Sequence, residues 1–84
     1  MKEDEKRFLI DLYNANKHVI GENITEVTPR DIINSLDFYI HYKRAWYLLG
    51  KWSGKGWYDY GCTLDLGWLT EDGKSIAKGL SEAF

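Results

Sequence analysis

Four cations, Lys43, Arg44, Lys51 and Lys55, stand between His41 and Trp57, with Trp46, Trp52 and Trp57 among them and no acidic residue. The chain as a whole carries a formal net charge of −2. Ammonium and guanidinium groups are strong donors to phosphate and carboxylate oxygens, and a guanidinium can bridge two acceptors at once. An acid-free segment of this kind either faces something negative or is the solvated side of a core helix. The remaining charge is segregated around it. Residues 1–37 hold five basic and eight acidic side chains, and residues 59–84 hold two basic and five acidic ones.

No other constellation points to chemistry. His18 and His41 are far apart and have no companions at ligand spacing. The single cysteine, Cys62, cannot form an internal disulfide or, alone, a cysteine-based metal site. There is no nucleophile–base–orienter set and no phosphate loop. No catalytic residue, metal ligand or cofactor is expected, and the chain does not read as an enzyme.

The elements that would position the cations follow from periodicity and capping. Eighty-four residues make one domain with a small core. Four Trp, six Tyr and three Phe suit either a core that must gain much burial from few side chains, or a contact surface. No apolar run approaches the roughly 18–20 residues of a membrane span. The charged start "MKEDEKRFLI" continues into a helical pattern and does not read as a signal peptide. A cytoplasmic location is the expectation.

A first helix is expected over 3–20, with apolar residues from Phe8 to Ile20 at spacings of three and four and Gly21 as its stop. Ile24 and Val27 can point inward from a short extended piece. "TPRD" is a strong helix start, with Thr28 as cap and Pro29 in the first helical position, and predicts a helix over 29–36 with Ile32, Ile33 and Leu36 inward. A third helix is expected over 40–53, burying Ala45, Leu48, Leu49 and Trp52 and turning Lys43, Arg44, Tyr47 and Lys51 outward. The period then changes to that of a hairpin over 57–69, with strands expected at about 57–62 and 65–69. Thr70 caps a final helix over 71–82, with Ile76, Ala77 and Leu80 inward. The fold class is α+β, mainly α.

Two helices joined by a tight turn and followed at once by a β-hairpin resemble a winged helix-turn-helix. "TPRDIINSLDFYIHYKRAWYLLGKWSGKGW" is similar to the helix-turn-helix of winged-helix transcription regulators, and "GWLTEDGKSIAKGL" to the passage from wing to last helix. The resemblance covers about residues 28–80 and is to a superfamily. It implies a three- to four-helix core with a two- or three-stranded antiparallel wing, and double-stranded DNA as the partner. In such domains the second helix of the pair lies in the major groove. His41, Tyr42, Lys43 and Arg44 would then open the recognition helix, with Arg44 as base reader. Lys43, Lys51, Lys55 and Arg30 would hold phosphates, and Tyr47 would reach backbone or a thymine methyl. Tyr58, Tyr60 and Thr63 would be the wing's contacts, although Asp59 and Asp65 there would repel phosphates. Four or five phosphate contacts would give a salt slope of roughly −4. So loose a grip implies a homodimer, with the first and last helices as dimer surfaces. A small bacterial or phage regulator fits this size.

The alternative is a protein-interaction module, an adaptor or inhibitor presenting its tyrosines, because function lives in the site rather than the fold. Plainer roles stand beside each residue. Lys43, Arg44 and Lys51 also fit a solvated helix face, and His41 a position turned toward the core. Trp46 reads as core edge or interface, Trp52, Trp57 and Trp68 as core, and Cys62 as a small buried hydrophobe.

Overall fold

Thr28 and Asp31 cap each other across the start of the second helix, as the sequence leads one to expect. The Thr28 side chain accepts from the Asp31 N–H, and the Asp31 carboxylate accepts from the Thr28 N–H at 2.9 Å. The computed structural model describes residues 1–16 and 27–83. Its elements are α1 (Glu3–Asn16), α2 (Pro29–Ile33), α3 (Tyr42–Gly54), β1 (Tyr58–Tyr60), β2 (Gly67–Leu69) and α4 (Glu71–Ala83). The class is α+β and mainly helical, with one two-stranded antiparallel sheet. The expected residues 17–20 of the first helix, its stop at Gly21 and the inward Ile24 lie outside the described residues.

Each helix starts where local chemistry satisfies its free N–H groups. Glu3, Asp4 and Glu5 crowd the first turn of α1, where the helix dipole favours negative charge. His41 caps α3, its Nδ1 accepting from the Lys43 N–H at 3.2 Å. The third helix therefore begins two residues later than the sequence suggests, and Ile40 is buried just ahead of it. Thr70 caps α4, accepting from the Gly73 N–H at 3.1 Å and donating to the Gly56 carbonyl at 2.6 Å. Gly56, at φ 79°, turns the chain out of α3 in a conformation that a side chain would strain.

The core is built from Phe8, Leu9 and Leu12 of α1, the Ala45, Leu48, Leu49 and Trp52 stripe of α3, Tyr58 and Leu69 of the hairpin, and Ala77 of α4. Phe8 meets Trp52 with ring centroids 5.3 Å apart and Phe38 at 5.4 Å. The connection that carries Phe38 and Tyr39 is thus part of the packing. Strand pairing sets Tyr58 opposite Leu69, Asp59 opposite Trp68 and Tyr60 opposite Gly67. Both strands are shorter than the expected 57–62 and 65–69.

Four side chains expected inside lie outside. Leu36 is fully exposed because α2 ends at Ile33, so the helical face that would have turned Leu36 inward does not continue. Trp68 pairs with Asp59 on the outer side of a ribbon whose other side holds Tyr58 and Leu69, and it remains 45% exposed. Ile76 borders the Gly73–Ala77–Leu80 stripe without joining it. Cys62 sits exposed in the hairpin turn.

Candidate functional site

Two of the four cations of the acid-free segment are paired with acids from elsewhere in the chain. Asp4 receives a two-pronged contact from Arg44, through Nε to Oδ2 and through Nη2 to Oδ1 at 2.9 Å. Its neighbour Glu5 is 2% exposed and accepts from both Lys51 Nζ at 3.1 Å and Trp52 Nε1 at 3.0 Å. Two consecutive carboxylates of α1 therefore hold the two cations that sit on the flank of α3. The expectation that Arg44 and Lys51 turn freely outward is corrected in this respect: both are half-buried and ion-paired.

Arg30 is committed in the same way. Its guanidinium bonds Asp65 through Nε at 2.8 Å and Nη2 at 3.1 Å, while its backbone N–H bonds the Asp65 carbonyl at 3.0 Å. The hairpin turn is thereby fastened to the start of α2. Asp65, expected to project from the wing, is 7% exposed, and Thr63 is spent on it, donating its hydroxyl at 2.7 Å. Tyr58 is corrected from wing contact to core: it is 2% exposed and donates to the Leu64 carbonyl at 2.6 Å. Burial, and then the Asp65 charge, push the Tyr58 phenol upward. Trp57 is half-buried, with Lys55 Nζ 5.1 Å from its ring centroid.

What remains open is the outer face of α3. Tyr42, Lys43, Trp46 and Tyr47 fall three and four residues apart and share one side of the helix. Tyr42 is 56% exposed, Tyr47 63% and Trp46 38%. Among the described residues no acid pairs with Lys43. Gly50 extends the face without a side chain, and a methyl group there would meet only Leu64, at 3.8 Å. His41, at the head of this face, stacks obliquely on Tyr42 with centroids 4.7 Å apart. Tyr60 is exposed on the hairpin. Of the residues nominated from sequence, Tyr42, Lys43 and Tyr47 are brought together as a surface. Arg30, Arg44, Lys51, Tyr58 and Thr63 serve the fold. Trp46, expected at the core edge or an interface, joins that surface, and Asp4 and Glu5 are functional partners that the cation pattern alone does not indicate. The signal for the two acids was present in the "EDE" at the head of α1, whose charge is the complement of the acid-free segment.

A groove of about 560 Å³ lined by Glu3, Asp4, Arg7, Ile10 and Tyr39 opens beside α1. The Arg7 guanidinium lies over the Tyr39 ring, and the Tyr39 hydroxyl donates to Asp11 at 2.6 Å. Among the described residues no group of three His, Cys, Asp or Glu side chains could hold a metal ion. No described helix is long and apolar enough to cross a membrane. No protein-family model, curated protein or solved structure matches this chain.

The ion pairs have a pH signature. The Arg44 guanidinium holds the Asp4 carboxyl down to about 2, and Arg30 likewise holds Asp65 below the ordinary carboxylate range. The unfolded chain takes up these protons first, near pH 4, an ordinary aspartate value being about 3.9. Stability from both pairs is therefore complete above that range and is lost as pH falls below it, for the Asp4 pair as pH approaches about 2. The urea midpoint is expected to drop across that window. The drop should be smaller in Asp4→Asn, which starts lower because its pair is already weakened. An identical drop in both proteins would show that the pair does not couple to folding.

Proposed function

We propose that this chain is a small winged-helix module that binds another protein through the outer face of α3. The order of α2, α3 and the hairpin, with α3 packed on β1, supports the winged-helix reading. The observation that carries the choice of partner is the pairing of charges. Arg30, Arg44 and Lys51 spend their charge on Asp65, Asp4 and Glu5, and the exposed face is left with three aromatic rings around one ammonium. Trp and Tyr are the side chains that dominate protein–protein contacts, because they bury much area at little entropic cost. Phosphate binding instead needs several uncommitted cations on one face.

Duplex DNA is the second reading, favoured by Lys43 on that face, by Lys55 just past its end, and by the partial exposure of the Arg44 and Lys51 pairs. With two uncommitted lysines the salt slope would be about −2, half of what the sequence alone suggests.

One experiment separates the readings. A photo-crosslinking residue replaces Tyr47 in the full chain, and a control replaces Ser75 on the exposed side of α4. After irradiation in cells expressing the protein, position 47 is expected to give a discrete protease-sensitive adduct that position 75 does not. A nuclease-sensitive adduct at 47 would establish the DNA reading. Equal, diffuse labelling at both positions would remove α3 as the binding surface.

A further inference from the structure

We infer that the partner meets α3 with an acidic segment, its carboxylates flanked by apolar side chains. This rests on the reading of the α3 outer face as the binding surface and adds its chemistry. Within the molecule α3 already binds a carboxylate. On its flank an ammonium and an indole N–H converge on one carboxylate, Lys51 Nζ and Trp52 Nε1 on Glu5. The outer face carries the same two kinds of donor, Lys43 and Trp46, one helical turn apart, with the phenols of Tyr42 and Tyr47 beside them. Among the described residues none of these four side chains donates a hydrogen bond. The segment from 38 to 58 contributes no acceptor charge of its own.

The face is therefore rich in donors, empty of anions and walled by aromatic rings. Charge complementarity selects carboxylates, and the rings select apolar neighbours for them. Phosphates of a duplex would satisfy the ammonium but would leave three rings against a hydrated backbone. A second copy of this chain could in principle supply acids, for example Glu71 and Asp72 at the head of α4. Self-association would appear as concentration-dependent spectra and is read out below.

The full chain, labelled with nitrogen-15, is titrated at fixed ionic strength with a synthetic peptide of alternating glutamate and leucine, and with its glutamine counterpart. The glutamate peptide is expected to shift the amides of 42–47 and the Trp46 indole signal. The glutamine peptide is expected to bind about tenfold more weakly, the change that loss of one charge-assisted hydrogen bond brings. Lys43→Met, at an exposed site, should lower affinity for the glutamate peptide by a similar factor while leaving the rest of the spectrum in place. Equal affinity for the two peptides would overturn the carboxylate preference and leave the docking face standing. No shift at 42–47 with either peptide would overturn the inference, while a protein adduct at position 47 would still uphold the broader reading. Shifts at the same amides with a mixed-sequence DNA duplex and not with the peptide would transfer the face to phosphate. Shifts that follow protein concentration without any peptide would transfer it to a second copy.

Discussion

Trp52→Ala is expected to remove about 3–5 kcal/mol of stability, the usual cost of deleting a large buried aromatic side chain. Trp52 is fully buried, packs against Phe8, and its indole N–H is one of the two donors to the buried Glu5 carboxylate. The substitution thus opens a cavity and takes a hydrogen bond from a charge that water does not reach. A domain of this size has roughly 4–13 kcal/mol in total, at about 0.05–0.15 kcal/mol per residue. Much of the population should therefore be unfolded at modest urea concentrations. Trp52→Phe weights the second contribution, because it removes the donor while keeping a six-membered ring and so leaves a smaller cavity than alanine does. It is expected to cost about 1–3 kcal/mol, the penalty for an under-satisfied buried acceptor. Much of that should return in the double variant Glu5→Met with Trp52→Phe, where donor and acceptor are absent together. Urea unfolding followed by far-ultraviolet circular dichroism measures these variants together with the Glu5→Met single variant and the parent protein. Strict additivity of the two single changes would show that the Glu5–Trp52 bond carries no coupling.

Two glycines of α4 should respond to alanine in opposite directions. In an open helical position alanine is favoured over glycine by about 1 kcal/mol. Gly79 is such a position, with nothing within 4 Å of where a methyl group would sit, so Gly79→Ala is expected to stabilise by about that amount. At Gly73 the methyl carbon would lie 1.9 Å from the Trp57 carbonyl oxygen, which already accepts from the Thr70 N–H at 2.9 Å. Backbone stands on both sides of that contact, so no flexible side chain can yield. Gly73→Ala is expected to destabilise by about 1–3 kcal/mol or more, the cost of forcing atoms into a filled interior. The shift should appear in the thermal midpoint as a fall for Gly73→Ala and a rise for Gly79→Ala. A rise in both would mean that α4 does not press on the exit from α3.

The parts of the fold that were legible in the sequence are those governed by residues close together along it. Thr28, Pro29 and Asp31 announce a helix start because capping is completed within four positions, and Thr70 does the same for α4. The Ala45–Leu48–Leu49–Trp52 stripe is a local period, and it is buried as read. What escaped depends on distant partners. Arg44 meets Asp4, Lys51 meets Glu5 and Arg30 meets Asp65, and no spacing rule joins residues so far apart. A helical period also says which side a residue occupies and not how far a neighbour covers it, which is why Ile76 and Trp46 lie at the edges of their stripes. The candidate face was partly visible in Tyr42, Lys43 and Tyr47. Its character changed once the other cations were found to be engaged, from a row of positive charges to a group of rings around one.

The most extensive packing between helices joins α1 to α4, the first of the four to the last. During synthesis α1 leaves the ribosome long before the segment that covers it. Phe8 can meet Phe38 and Trp52 once α3 is formed, but the core that Phe8, Leu9 and Leu12 share with Leu69 and Ala77 is incomplete until the hairpin and α4 are in place. Completion of the core therefore follows the last helix, and the interval before α4 docks is when copies of the chain are most exposed to one another.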